Sequence, residues 1–187
     1  ASNRDIVDII CGSATAWMIR KIINNKGGLH KRVTRRLFLR PFTLSETDSY
    51  FIDRQIRFDH YQLILLYMTM GGIPHYLDQV EAGKSAVQNI NVLCFRESGF
   101  LFDEFNRLFP ALFERHERHT SIVKALSAKQ KGLTRQEILK ATRLPNGGSF
   151  TKTLKELQQS DFVKTFSGVG KKKKATLYRL TDSYCLF

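Results

Sequence analysis

Thr134-Arg135-Gln136-Glu137-Ile138-Leu139-Lys140-Ala141-Thr142-Arg143-Leu144-Pro145-Asn146-Gly147-Gly148-Ser149-Phe150 decides how the last third of this 187-residue chain is read. Thr134 with Glu137 three residues later is a capping box, in which the hydroxyl and the carboxylate each satisfy a backbone N–H at the start of a helix. The pattern predicts a helix from there to about Thr142. Leu144 to Gly148 reads as a turn, because Pro145 cannot continue a helix and Asn-Gly-Gly tolerates a sharp reversal. Residues 149–160 read as a further helix with Phe150, Leu154 and Leu157 on its inner face. Outward from this stretch, residues 121–128 predict an earlier helix. Residues 162–166 and 175–180 predict two short strands, joined by a loop holding Gly168, Gly170 and Lys171-Lys172-Lys173-Lys174.

Helix, helix, turn, helix and β-hairpin is the order of a winged helix-turn-helix unit. In a DNA-binding unit of that kind the third helix enters the major groove, which makes Lys152 and Lys155 its available basic residues. Arg143, Asn146 and Ser149 lie where that helix begins. Lys171 to Lys174 at the hairpin tip would sit against phosphate and give salt-dependent, sequence-poor affinity. Charge agrees with a polyanionic partner: residues 115–187 carry 16 Lys/Arg against 5 Asp/Glu, whereas residues 1–114 carry 14 against 12. Winged helices also dock on proteins, and a lysine run at a hairpin tip guards a sheet edge. Nucleic-acid contact and protein contact both stay open on the residues alone.

Upstream, residues 45–114 read as an all-helical unit of about four or five helices. Ser45 with Asp48 predicts a helix running to about Ile56, and His60 to Met70 is an apolar helix. Gly71-Gly72-Ile73-Pro74 breaks it; a helix resumes near residues 75–81, and residues 85–95 and 102–113 follow. The Gly-Pro corner reads on pattern alone as a helix–loop–helix bend. Its paired glycines would also let another group approach the backbone closely. Residues 115–118 are a charged join.

The first residues, Asp5-Ile6-Val7-Asp8-Ile9-Ile10-Cys11-Gly12-Ser13-Ala14-Thr15-Ala16-Trp17, read as a buried parallel strand passing into a helix over residues 14–24. Residues 33–39 predict a second strand, stopped by Pro41. A parallel strand needs neighbours on both sides, so the chain is expected to be the C-terminal part of a larger α/β protein. Arg32, just before the second strand, could reach an anion across a boundary, though Lys31, Arg35 and Arg36 make it one of several surface cations.

Other chemistries are excluded by pattern. Ser13 has no Gly-x-Ser-x-Gly context, and the chain contains neither Gly-x-x-x-x-Gly-Lys-Ser/Thr nor Gly-x-Gly-x-x-Gly. His116 and His119 could share a helix face but have no third ligand nearby, so no metal site is expected and a surface or junction role is assigned to them. Cys11, Cys94 and Cys185 match no Cys-x-x-Cys spacing and read as reduced thiols, hence a cytoplasmic setting. No apolar run approaches the roughly 20 residues of a membrane span, so no membrane partner is expected.

In order along the chain stand a strand ending Cys11-Gly12-Ser13-Ala14, a Trp17-Met18 helix, and Leu29-His30-Lys31-Arg32-Val33-Thr34. Leu39-Arg40-Pro41-Phe42-Thr43-Leu44-Ser45-Glu46, Gly71-Gly72-Ile73-Pro74-His75-Tyr76-Leu77 and a winged helix follow. This set resembles the C-terminal half of the archaeal-ATPase-like branch of the AAA+/STAND P-loop ATPases. The resemblance implies a mainly α chain: a remnant of a parallel α/β core over residues 1–44, a helical lid bundle over 45–114 and a C-terminal winged helix-turn-helix with a β-hairpin wing over 115–187. It also implies that Ser13 is a sensor-1-like residue, that Arg32 is arginine-finger-like, and that Gly72 and Pro74 belong to the lid element closing over nucleotide. ATP and magnesium would be bound by the full-length parent. The Walker A lysine and Walker B carboxylates are missing from these residues, so the fragment itself is expected neither to bind ATP tightly nor to hydrolyse it. The competing expectations are a stand-alone winged-helix DNA-binding regulator, with the helical segment serving for self-association, and a protein-interaction module without nucleic-acid binding.

Overall fold

The computed structural model describes residues 9–12, 34–35, 37–167 and 176–187. Among them the chain is mainly helical, with one small antiparallel sheet. Two of the expected strands are corrected where they can be seen. Ile9 to Gly12 lie in no strand and are exposed. Leu37, Phe38 and Leu39, placed in the second strand, are 77%, 53% and 89% exposed and equally unpaired. A parallel strand is held by hydrogen bonds to neighbours on both edges, and these residues have none among the described residues. The expected α/β-core remnant is therefore not seen there.

The helical unit begins with α1 (Leu44–Asp53). Its cap is Thr43 with Glu46, not Ser45 with Asp48: the Thr43 N–H donates to Glu46 Oε2 at 2.7 Å, and the Glu46 N–H donates to Thr43 Oγ1. Glutamate is one methylene longer than aspartate and spans the box. α2 (His60–Met70) is capped by Asp59, which accepts from the Gln62 N–H at 2.9 Å, and it buries Leu63, Leu66 and Met70. α3 (Pro74–Leu77) starts on its proline, where the missing N–H costs nothing. α4 (Ala86–Ile90) opens on a Ser85–Gln88 box and runs into a π-helical turn, Asn91–Phe95. Phe51, Leu66, Met70, Leu77 and Leu101 centre the first core.

The next helix, α5 (Glu104–Leu112), places Phe109 in a second core, with Phe105, Leu108 and Leu112 packed against it. α6 (His116–Ser127) starts earlier than predicted, so the charged join at 115–118 is its first turn. His119, Ile122, Val123 and Leu126 face inward at helical spacing. β1 (Leu133–Thr134) leads directly into α7 (Arg135–Thr142), which carries the predicted Thr134–Glu137 box. α8 (Gly148–Gln159) buries Phe150, Leu154 and Leu157. β2 (Val163–Phe166) and β3 (Leu177–Leu180) pair in register Val163↔Leu180 to Phe166↔Leu177. β1 pairs with the other edge of β3, giving the order β1-β3-β2.

A last helix, α9 (Ser183–Leu186), is capped by Asp182, which accepts from the Cys185 N–H at 2.8 Å. It joins the two cores: Cys185 belongs to the second, whereas Tyr184 packs against the first. Each fully buried Phe or Leu in these cores contributes about 1.5–3 kcal/mol. No helix of the described residues is long and apolar enough to cross a membrane.

Candidate functional site

The Gly-Pro corner is built by backbone geometry. Gly71 ends α2 with φ 63° and ψ −162°, a conformation open essentially to glycine alone. Gly72 is buried against the segment leading into α1. The Phe42 N–H donates to the Gly72 carbonyl at 2.7 Å, and a Cβ on Gly72 would lie 1.9 Å from the Phe42 carbonyl oxygen. The Tyr67 hydroxyl donates to that same oxygen at 3.0 Å. The close approach anticipated at the paired glycines is therefore made by the chain's own Phe42. Pro74 is exposed, at the first position of α3.

On its other side the corner meets α9. Ser183 side-chain atoms lie 3.5 Å from the position a Cβ on Gly71 would take. The Tyr184 hydroxyl donates to the Leu101 carbonyl at 2.7 Å, and its ring lies 5.7 Å from that of Tyr76. Tyr76 donates to Glu104 Oε1 at 2.9 Å. Burial pushes the Tyr184 phenol up to about 12, and burial with the Glu104 contact pushes Tyr76 up as well, so both remain hydrogen-bond donors at any physiological pH. Phe42, Ser183 and Tyr184 were not anticipated at this corner. The glycines signalled that something approaches, but nothing local says what.

The second candidate surface is the outer face of α8. Lys152 and Lys155 are exposed there, and neither joins an ion pair among the described residues. Arg143 is exposed too, holding a left-handed conformation (φ 55°) at the end of α7. Arg135 supports the turn between the helices: its guanidinium donates to Asn146 Oδ1 at 2.9 Å and Thr151 Oγ1 at 3.0 Å, and lies 4.7 Å over the Phe150 ring. Asn146, itself exposed, is thus engaged by Arg135. Ser149 accepts a hydrogen bond from Arg118. Ser13, Arg32 and Lys171 to Lys174 lie outside the described residues.

Between α6 and α8 His119 is buried on Glu156, which corrects the surface half of the surface or junction role assigned to it. The imidazole is 3% exposed and stacks on Phe113 with centroids 3.9 Å apart. Its Nδ1 lies 3.1 Å from the Arg115 carbonyl and its Nε2 3.0 Å from Glu156 Oε2. Both nitrogens meet oxygen acceptors, so both bonds form only when the ring carries its second proton. Burial opposes that proton and holds the imidazole below its usual value, with the Arg115 and Glu156 contacts pulling the other way.

The described residues do not fit the ATP and magnesium that the resemblance implies. They contain no glycine-rich phosphate cradle, and no group of three His, Cys, Asp or Glu residues able to hold a metal ion. The chain matches no protein-family model, no curated protein and no solved structure.

Proposed function

We propose that this chain is the lid and output portion of a P-loop ATP-binding protein of the AAA+/STAND class, in which the Gly-Pro corner links an upstream nucleotide-binding core to a basic winged-helix module. The observation that carries this reading is the corner's two-sided contact: the Phe42 backbone presses on Gly72 from the upstream segment, and Ser183 of α9 stands over Gly71. A rigid corner gripped from both sides can pass a displacement of residues 37–43 to the C-terminal unit, because packed interfaces move between discrete arrangements and do not deform continuously. In the full-length parent, Gly72→Ala is expected to change ATP affinity, read by isothermal titration calorimetry; unchanged affinity removes the corner from the nucleotide response. The 187 residues alone are expected to show no micromolar ATP binding, and such binding would overturn the assignment of the phosphate-binding part to another segment. A cytoplasmic setting belongs to the same proposal and rests on three unpaired cysteines.

The module reading is supported by the order α6-β1-α7-α8-β2-β3 and by β1 pairing on β3, with Lys152 and Lys155 exposed on α8. The exposed Lys152, Lys155 and Arg143 favour duplex DNA as its partner over a protein. Binding of a duplex is expected to weaken as salt rises, with Lys152→Gln lowering the salt slope by about one. Salt-independent binding, or none, leaves the protein-docking alternative.

A further inference from the structure

A cavity of about 300 Å³ opens between the start of α6 and the exposed side of α8. Three cations line it: Arg115 just before α6, Arg118 in its first turn and Lys152 from α8. Two carboxylates also line it. Glu156 faces the His119 ring at 3.0 Å, and Glu114 is exposed in the turn before α6. Ser149 accepts from Arg118, so its hydroxyl hydrogen is left to donate. Thr153, by contrast, donates to the Ser149 carbonyl at 3.1 Å.

We propose that this cavity binds a phosphate group, held by the guanidinium groups of Arg115 and Arg118, the Lys152 ammonium and the Ser149 hydroxyl. Guanidinium forks match phosphate oxygens bidentately, and a lysine supplies a mobile point charge beside them. The floor has chemistry of its own. His119 makes both of its bonds only as an imidazolium, which burial disfavours; a bound anion favours it. The charged or titratable groups around the ring are Glu114, Arg115, His116 and Arg118 on the α6 side, and Lys152 and Glu156 on α8. Anion occupancy and the second proton on His119 therefore reinforce one another. This site does not depend on the ATPase reading, and it deepens the nucleic-acid reading only if the phosphate belongs to a duplex.

The test uses the 187-residue chain with inorganic phosphate in one arm and a short duplex DNA in the other, followed by the His119 ring resonances in NMR. Saturable binding is expected in at least one arm, with an upward shift of the His119 titration midpoint. Arg118→Gln is expected to weaken binding about tenfold, as for loss of a charge-assisted contact, with Lys131→Gln as an unaffected control. Ser149→Ala provides a second, milder variant should Arg118→Gln unfold the unit. Binding of inorganic phosphate assigns a free phosphate compound; binding of the duplex alone assigns the backbone phosphodiester. Saturation in neither arm, or affinities unchanged in both Arg118→Gln and Ser149→Ala, overturns the site. Loss of the corner's effect on ATP affinity in the parent would leave this result untouched.

Discussion

The first core and the second core close in different ways. The second is assembled from a continuous stretch, α5 through α9, whose helices carry their own signals: a capping box at Thr134 and Glu137, and inward faces at helical spacing. The first is sealed by segments outside its helices, with Phe42 pressed on Gly72 and Tyr184 reaching Leu101 across 83 positions of sequence. A unit closed by its own local interactions tolerates change at its edges. A unit closed from outside is placed to respond when those outside segments move, which is why the corner carries the coupling proposal.

The comparison breaks most sharply at Phe109. Phe109→Ala removes a wholly buried ring from the second core and is expected to cost about 3–5 kcal/mol, seen as a lower urea midpoint. If the first core unfolds in the same transition by a second probe, α5 and α9 tie the two together. Gly72→Ala comes next: the methyl cannot coexist with the Phe42 backbone, and a loss of about 2–3 kcal/mol is expected, accompanied by protease cleavage near residues 37–43. A variant that keeps full stability would show that Phe42 is not a closure of the first core.

Thr134→Ala tests the local kind of closure and is expected to cost about 1 kcal/mol. It also alters the acid response. Glu137 is held down at about 2, first by the Thr134 backbone N–H and then by Lys129 and the Thr134 hydroxyl. A carboxyl depressed in the folded state contributes stability that is complete above its ordinary 4.5 and is lost as pH falls toward 2. The dependence of melting temperature on pH across that window is expected to be flatter in the variant; identical slopes would remove the Thr134 hydroxyl as a source. The smallest effect belongs to the exposed lysines of α8. Lys152→Gln and Lys155→Gln are expected to change stability by less than about 0.5 kcal/mol, so any loss of duplex binding in them reports contact and not folding.

Local signals were legible wherever one element held both partners. α2 was read to its bounds, and the start of α7 followed from Thr134 and Glu137. Where two caps competed, as at Thr43 and Ser45, side-chain reach decided for Thr43. β1 is a two-residue strand and α9 a four-residue helix, too short for any periodicity to show. The strand expected at Leu37 to Leu39 had the right composition, yet those residues are exposed. Branched and aromatic residues suit a pleated sheet only where neighbours exist to pair with them.

The sequence by itself determined the helical order, the buried face of α8, the position of the Gly-Pro break and the concentration of positive charge after residue 114. These follow from periodicity, capping and composition, which act over a few residues. Only the tertiary structure decided that Phe42 and Ser183 flank the glycines, that β1 closes the sheet, and that His119 is buried on Glu156 beside three cations. Each of those contacts joins groups far apart in the chain, and long-range proximity is fixed by how whole faces pack, which no local pattern encodes.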